Sequence, residues 1–348
     1  MALYAVIMAG GRGERFWPAS TTAVPKPFIR LGCSSTLIQD TVERIRPIVP
    51  AGRIYISIGA AQQEVAREQL PQIPPENFIV EPVGRDTSAS LGFCALHLER
   101  ADSDTEMLAL PADHFIRQDA EYRSTLRKGI ESLAGATAVI FGIPPKRPET
   151  GYGYVQAERP QGGGVAWPVR RFVEKPNAQT AEEYIRAGNF FWNSGIFLWK
   201  VSTLLELFRH HLPDSYASLM QLRPLLGKPG AEPEILRIFS SLQRISIDFG
   251  ILEKASGLRL IPAEFDWDDI GNWAALERFL PADPAGNTAV GPHLPVETEG
   301  CIIYSEGGMI GTLGVKDLVI VQAHGKVLVC PKNRATDLKR LVTALGPS

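Results

Sequence analysis

Apolar residues in this chain fall mostly into short unbroken runs, and stretches with helical spacing lie between them. The first run, Leu3–Met8, has no helical period and stops at Gly10 and Gly11. That is the pattern of a strand buried on both faces of a parallel sheet. Thr36 and Gln39 form a capping-box pattern that opens a helix ending near Arg46. Strand-like runs at 53–59, 77–82, 106–114 and 136–143 then alternate with helical patterns at 60–70 and 87–100. This alternation predicts a doubly wound, mostly parallel sheet with helices on both faces. Such sheets bind ligands beyond the carboxyl ends of their strands, so the loops there are the places to look for chemistry.

Past Gly151 the pattern is mixed. Strands are expected at 152–158 and 169–176, around the glycine-rich QGGG, followed by a helix at 178–188. FFWNSGIFLWK (190–200) reads as an aromatic-rich strand, and DWDDIGNWAALERFL (266–280) closes the main domain. Residues 281–295, rich in Pro, Gly and Ala, read as a linker. Short strands and turns then fill a small β appendage over 301–330, and a helix at 335–345 ends the chain. Two domains are expected: 1–280, and 281–348 with the linker, the β unit and the terminal helix.

At 348 residues, 45% hydrophobic and 21% charged, the chain can bury a sizeable core. A net charge of -2 gives no support for nucleic-acid or membrane-surface binding. No apolar run is long enough to span a bilayer. The opening LYAVIMAGG has neither basic leader nor cleavage signature and reads as a strand. Cys33, Cys94, Cys301 and Cys330 are scattered without a CxxC pair. That argues against a zinc site and fits reduced thiols, so a cytoplasmic protein is expected.

The candidate chemistry starts where the first strand ends. Gly10, Gly11 and Gly13 share a loop with Arg12 and Arg15, and Lys26 follows between Pro25 and Pro27. Backbone amides plus cations suit a polyphosphate. Neither the P-loop nor the GxGxxG fingerprint fits: no glycine precedes Lys-Ser or Lys-Thr, and Phe16 stands where the last glycine belongs. Taken alone, the loop reads equally well as a solvated turn. Asp113, in LPADH, follows a buried strand, and DWDDIGNW places three acids in a turn beside tryptophans. Two carboxylates converging on phosphates are the usual way Mg²⁺ is held, because it keeps its waters and takes few protein oxygens.

MAGGRGERFWPAS, PKPF, EPVGRDTSAS, LPADH, GYGYV, FVEKP, FWNSGIFLW, SIDFGILEK and DWDDIGNW occur in this order, from residue 5 to about 275. Together they resemble the sugar-1-phosphate nucleotidyltransferases, and among these the branch that transfers guanylyl groups to mannose 1-phosphate. The resemblance implies a Rossmann-like sheet of GT-A type, and the tail looks like that branch's short left-handed β-helix domain. It implies that a sugar 1-phosphate attacks the α-phosphorus of GTP and expels pyrophosphate, with GDP-mannose as product and Mg²⁺ as cofactor.

Carried over position by position, the resemblance assigns roles. Gly10, Gly11 and Gly13 bring amides to the nucleotide, and Arg15 holds the leaving phosphates. Lys26 neutralises charge at the α-phosphate, and Asp113 and Asp269 hold the metal. Lys175 binds the sugar phosphate. Glu174, Asn193 and the Gly153 backbone bind the sugar, and Arg85 and Thr87 lie near base and ribose. Asp86 is a candidate reader of guanine. Residues outside these roles are expected to be structural: His114, Asp266, Asp268, the four tryptophans Trp192, Trp199, Trp267 and Trp273, and Asp248, read as a helix cap.

The chain departs from the family pattern at Pro27, at Asp86 and over 21–24, where a further arginine is common. A sister enzyme with another nucleotide or sugar, and a regulatory subunit with a dead site, are the competing readings; a dead site should have lost a metal aspartate or a phosphate cation. With six histidines in no metal-ligand cluster and an end at Ser348, a single activity without an attached isomerase is expected. A homodimer stays open.

Overall fold

The computed structural model describes residues 2–11, 14–102 and 105–345. In chain order the strands of the first part are β1 (Ala2–Met8), β2 (Ile54–Gly59), β3 (Phe78–Glu81), β4 (Thr105–Pro111), β5 (Phe115–Ile116) and β6 (Ala138–Ile143). They continue with β7 (Gly153–Ala157), β8 (Trp167–Glu174), β9 (Phe190–Lys200), β10 (Leu258–Pro262) and β11 (Trp267–Asp268). Nine of them form one sheet in the order β3-β2-β1-β4-β9-β6-β10-β8-β7, while β5 pairs with β11.

β1 runs parallel to β2 and β4, and β2 to β3, as their apolar runs predict. β9 runs antiparallel to both β4 and β6, and β7–β8 is a hairpin that turns back onto β9. The sheet is thus parallel at one end and antiparallel at the other. Charge marks the change: β8 exposes Arg170 and Arg171, which a strand covered on both faces could not do.

Helices cover both faces. One core holds α1 (Leu37–Ile45), α2 (Gln63–Gln69), α4 (Asp119–Ser132) and α5 (Ala178–Ala187) against the sheet. The other holds α3 (Asp86–Ala101), α6 (Val201–His211), α7 (Pro213–Leu222) and α8 (Glu232–Ser241). The capping box at α1 is present, with Thr36 N donating to Gln39 Oε1 at 3.0 Å. Among the described residues no helix is long and apolar enough to cross a membrane.

The appendage begins earlier than its hydrophobic runs suggest. Residues expected as linker contain β12 (Thr288–Val290) and β13 (His293–Val296). β14 (Ile302–Ser305), β15 (Ile310–Leu313), β16 (Leu318–Ala323) and β17 (Lys326–Pro331) follow. β12, β14 and β16 stack in parallel, β13 and β15 form a second parallel ladder, and β17 closes the unit antiparallel to β16. This is a short β-helix-like coil, and α9 (Leu338–Leu345) follows it.

The coil has no separate core. Phe16, Ala19, Ile29, Leu31, Ile270 and Trp273 from the main domain share one buried cluster with Ile302, Tyr304, Val319 and Val321. Trp273 is the hinge of that cluster. Its ring lies 5.0 Å from Phe16 and 4.9 Å from Tyr304, and its indole N–H donates to Trp17 O at 3.1 Å. Tyr304→Ala is therefore expected to cost about 3–5 kcal/mol, the range for emptying a buried aromatic site. Urea unfolding followed by tryptophan emission should show one transition at lower urea; a coil that melts separately, ahead of the main domain, would contradict a shared core.

Candidate active site

The carboxyl ends of β1, β4 and β11 meet in one corner. Gly10 and Gly11 leave β1 with no neighbouring atom within 4 Å of where a side chain would start, and Gly11 has φ 116°, a conformation that suits glycine. Gly13 and Arg12 lie outside the described residues. Ala112 N donates to Met8 O at 3.1 Å, which carries the β1–β4 pairing up to Asp113.

Lys26 sits in a single 3₁₀ turn, Lys26–Phe28. Pro25 before it and Pro27 within it fix the backbone, and Phe28 N closes on Pro25 O at 2.9 Å. The fence holds an ammonium inside the protein: Lys26 is only 6% exposed. A buried cation needs partners. Lys26 Nζ donates to Asp113 Oδ2 at 2.9 Å and to the Asp269 carbonyl, and lies 5.8 Å from the centre of the Phe16 ring. Burial pushes the Asp113 carboxyl up, but Lys26 foremost, with Arg15, outweighs burial and holds it below the usual carboxylate range.

The DWDD turn sorts its three acids by their partners. Asp266 pairs with exposed Lys146 at 2.8 Å. Asp268 is bidentate to Arg278, both bonds at 2.6 Å, and also accepts from Ile270 N. Asp269 is left for the corner. Its Oδ1 accepts from Tyr152 OH at 2.6 Å; its Oδ2, like Asp113 Oδ1, accepts no hydrogen bond among the described residues. A side chain at Gly271 would lie 3.5 Å from Asp269 Oδ2 and 3.6 Å from the Arg15 guanidinium, so Arg15 and Asp269 flank that glycine. His114 accepts from Trp267 Nε1 through Nδ1 at 3.0 Å, and burial lowers its pKa, so it is a neutral structural group.

A second corner lies along β7, β8 and β9. Gly153 faces Glu174 across the β7–β8 hairpin, and any side chain there would overlap Glu174 Oε2. Glu174 Oε1 accepts from Lys175 Nζ at 2.8 Å, while Oε2 is buried without a partner among the described residues. Asn193, on β9, donates to Asp248 Oδ1 at 2.9 Å. Tyr152 joins the two corners: its hydroxyl bonds Asp269, and its carbonyl accepts from Lys175 N at 3.2 Å.

The loop after β3 differs from expectation. The Arg85 guanidinium donates to the Ser240 carbonyl, and Thr87 Oγ1 accepts from Ile247 N at 2.9 Å. These side chains tie the start of α3 to α8 and to the segment after it. Asp86 is exposed, and its Oδ1 caps Thr87 N at 2.8 Å. The group that pattern reading missed is Glu81, the last residue of β3. Its Oε1 accepts from Ser57 Oγ at 2.7 Å, and Ser57 in turn lies 3.1 Å from Ser90. Burial raises its carboxyl, against the pull of Ser90 and Ser57. Only its place before Pro82 in the quoted EPVGRDTSAS hints at it. Tyr152 and Asp248 were likewise not singled out as site residues by pattern, although both stand inside motifs of the set.

The family described as Nucleotidyl transferase matches residues 4–284, and the one described as MannoseP isomerase/GMP-like beta-helix domain matches 291–345. Mannose-1-phosphate guanylyltransferase of Escherichia coli (strain K12) is 34% identical over 351 residues, covering 98% of this chain and 73% of that protein. The protein of the same name from Klebsiella pneumoniae is 33% identical, covering 99% of this chain and 74% of its own. A crystal structure described as mannose-1-phosphate geranyltransferase from Thermus thermophilus superposes with a TM-score of 0.90 at 38% identity over 99% of both chains. A mannose-6-phosphate isomerase structure from Helicobacter pylori, 20% identical with a TM-score of 0.64 over 77% of this chain, shares the fold. By sequence and by fold, the chain belongs to the nucleotidyl transferase family, in its mannose-1-phosphate guanylyltransferase branch.

Proposed function

We propose that the protein transfers GMP from GTP to α-D-mannose 1-phosphate, releasing pyrophosphate and GDP-mannose. The observation that carries this reading is the buried Lys26 ammonium shared by Asp113 and Asp269 at the mouth of the glycine loop. A phosphate oxygen of mannose 1-phosphate attacks the α-phosphorus, and the bond to the bridging oxygen of the β-phosphate breaks. The attacking phosphate is already an anion, so no base has to remove a proton. The chain's work is to neutralise charge and align the groups. Lys26 faces the α-phosphate, and Arg15 the departing β- and γ-phosphates. Lys175, paired with Glu174, holds the sugar phosphate; Glu174, Asn193 and Gly153 receive the sugar.

Nucleotidyl transferases generally use a divalent metal, and the donor set here fits Mg²⁺. Asp113 Oδ1 and Asp269 Oδ2 are hard oxygens without other partners among the described residues. No group of three or more acidic, histidine or cysteine ligands exists among those residues. Mg²⁺ takes one or two carboxylates and completes its shell with water and phosphate oxygens. When bound, it would neutralise charge on the triphosphate and orient it.

For the base, Glu81 replaces Asp86 as the reader. A carboxylate accepts from guanine N1–H and N2–H; adenine presents an unprotonated N1 that would meet it with repulsion.

Four outcomes are expected. Asp269→Asn should lower turnover by about 10²–10³-fold in saturating Mg²⁺, the usual loss of one preorganised charge; wild-type turnover would sink the metal role. Gly153→Ala should raise the KM for mannose 1-phosphate by about tenfold or more with little change for GTP, since the new methyl displaces Glu174. Pyrophosphate release with GTP should exceed that with ATP by at least about one hundredfold in kcat/KM. Glu81→Gln should narrow that ratio by about tenfold or more; an unchanged ratio would remove Glu81 from base reading.

A further inference from the structure

The loop between β6 and β7 lies along the DWDD turn, and one of its residues, Arg147, has no part in the reaction as described. Pro144, Pro145 and Pro148 stiffen this loop, and Pro148 disfavours helical backbone at the arginine before it. Glu149 N closes on Arg147 O at 2.9 Å. The Glu149 carboxylate then clamps the loop. Its Oε2 accepts from Arg147 Nε and its Oε1 from Gly151 N, both at 3.2 Å. Gly151 directly precedes Tyr152, so the clamp sets the arginine and the tyrosine against each other.

Three contacts join loop and turn. Lys146 pairs with Asp266 at 2.8 Å, Arg147 Nη2 lies 3.9 Å from Asp268 Oδ2, and Tyr152 OH donates to Asp269 Oδ1 at 2.6 Å. Arg278 already bonds both oxygens of Asp268, so that acid does not need Arg147. The nearer target of Arg147 is Tyr152, whose hydroxyl oxygen accepts from Nη2 at 3.4 Å. The guanidinium also lies 5.1 Å from the centre of the Trp192 ring and 5.9 Å from that of Tyr152. Trp192 and Trp267 stand edge-on to Tyr152 at 5.3 and 5.2 Å. The tyrosine is therefore held by two indoles with a cation over its ring.

The direction of these bonds gives the arrangement its sense. A phenol has one hydrogen, and Tyr152 gives it to Asp269. The oxygen can still accept, and a cationic donor there polarises the O–H toward the aspartate. The same cation pins the ring through its π face. With Oδ1 taken, the Asp269 carboxylate has one orientation, and its Oδ2 accepts nothing among the described residues. Carboxylates that hold metals are commonly oriented by hydrogen bonds from such outer partners.

We propose that Arg147 is a positioning residue of the metal corner: by holding the Tyr152 hydroxyl, it fixes the Asp269 carboxylate with Oδ1 occupied and Oδ2 open to Mg²⁺. This rests on the transferase reading above. In this role Arg147 touches neither substrate nor metal, and its effect passes through Tyr152.

The test uses the full chain as wild type, Arg147→Met, Tyr152→Phe and the double variant. Methionine keeps an apolar stem against the two rings and brings neither charge nor donor; phenylalanine removes one hydroxyl. The first readout is the thermal midpoint with GTP and Mg²⁺ against GTP and EDTA, without mannose 1-phosphate, so that nothing turns over. The second is pyrophosphate release at saturating GTP and mannose 1-phosphate across a Mg²⁺ titration. The Mg²⁺ concentration for half-maximal rate should rise by about 10- to 100-fold in each single variant, the usual effect of removing an outer partner of a metal ligand. The gain in midpoint that Mg²⁺ brings should shrink in the same variants. The double variant should match Tyr152→Phe to within about twofold, because the arginine acts through the hydroxyl. An unchanged Mg²⁺ requirement in Arg147→Met would overturn the proposal, and so would a double variant whose rise is the product of the two single rises. A merely structural arginine would lower the midpoint in EDTA and leave both Mg²⁺ readouts as in wild type. If Arg147→Met does not fold, Tyr152→Phe decides: an unchanged Mg²⁺ gain removes the link to Asp269 on which the proposal stands. Wild type that releases no pyrophosphate from GTP and mannose 1-phosphate sinks the parent reading, whereas active wild type matched by the variants in Mg²⁺ dependence sinks this inference alone.

Discussion

The site depends on one buried ammonium. Lys26 Nζ touches the end of β4 through Asp113, the turn after β11 through Asp269 and the aromatic face of Phe16. These segments are far apart in sequence, and a desolvated cation is tolerable only while all of them stay in place. The prolines on either side make this economical, because they remove backbone freedom before folding from a turn that has to be rigid afterwards. The same contact keeps both aspartates near each other before any phosphate arrives. Lys26 bonds the Asp113 carboxylate and the Asp269 main chain, so the placement of both residues is set within the fold.

The C-terminal coil packs behind this corner through the cluster it shares with the main domain. Trp273 lies four residues after Asp269, and Phe16 one after Arg15, and the coil's Tyr304 and Val319 lie in the cluster that buries both aromatics. His324, in the β16–β17 turn, lies 3.2 Å from Ala19 O, which pins the stretch after the glycine loop from the other side. A glycine loop must be free enough to admit a nucleotide. Its two ends are therefore best fixed from outside, and the coil supplies that support.

What could be read from sequence follows from what each element buries. β1, β2, β4 and β6 are apolar along their length because helices cover both faces, and their runs are visible without context. The residues 201–241 form three helices whose apolar faces pack on α3 and on one another, and no single window announces them. The antiparallel direction of β9 depends on neighbours that arrive from both ends of the domain. Motif order located Lys26, Asp113, Asp269, Glu174 and Asn193, and the structure brings the first three together and the last two together. It could not sort roles within a motif. Asp266, Asp268 and Asp269 look alike in the string; Lys146 and Arg278 decide which one is free. Arg85 and Thr87 also carry contacts to Ser240 and Ile247 that the string does not show. Glu81 and Asp248 stand out only once burial and partners are known.

The two acidic corners are tuned in opposite directions, and that contrast bears on what each receives. In the first, Lys26 and Arg15 outweigh burial and keep Asp113 ionised. A carboxylate held charged at every physiological pH suits a cation and the phosphates that a cation bridges. In the second, burial and the neighbouring Glu174 charge raise the Asp248 carboxyl to about 6. It is well matched to a neutral polyol, whose hydroxyls offer hydrogens without demanding full charge in return. Tyr152 lies between the corners, with its hydroxyl on the charged side and its carbonyl on the sugar side. Burial and the Asp269 charge raise its pKa, so it remains a proton donor to Asp269 and adds no third negative charge. On the proposed reading, the division between phosphate chemistry and sugar recognition is set by which acids the fold supplies with a cation and which it leaves facing another acid.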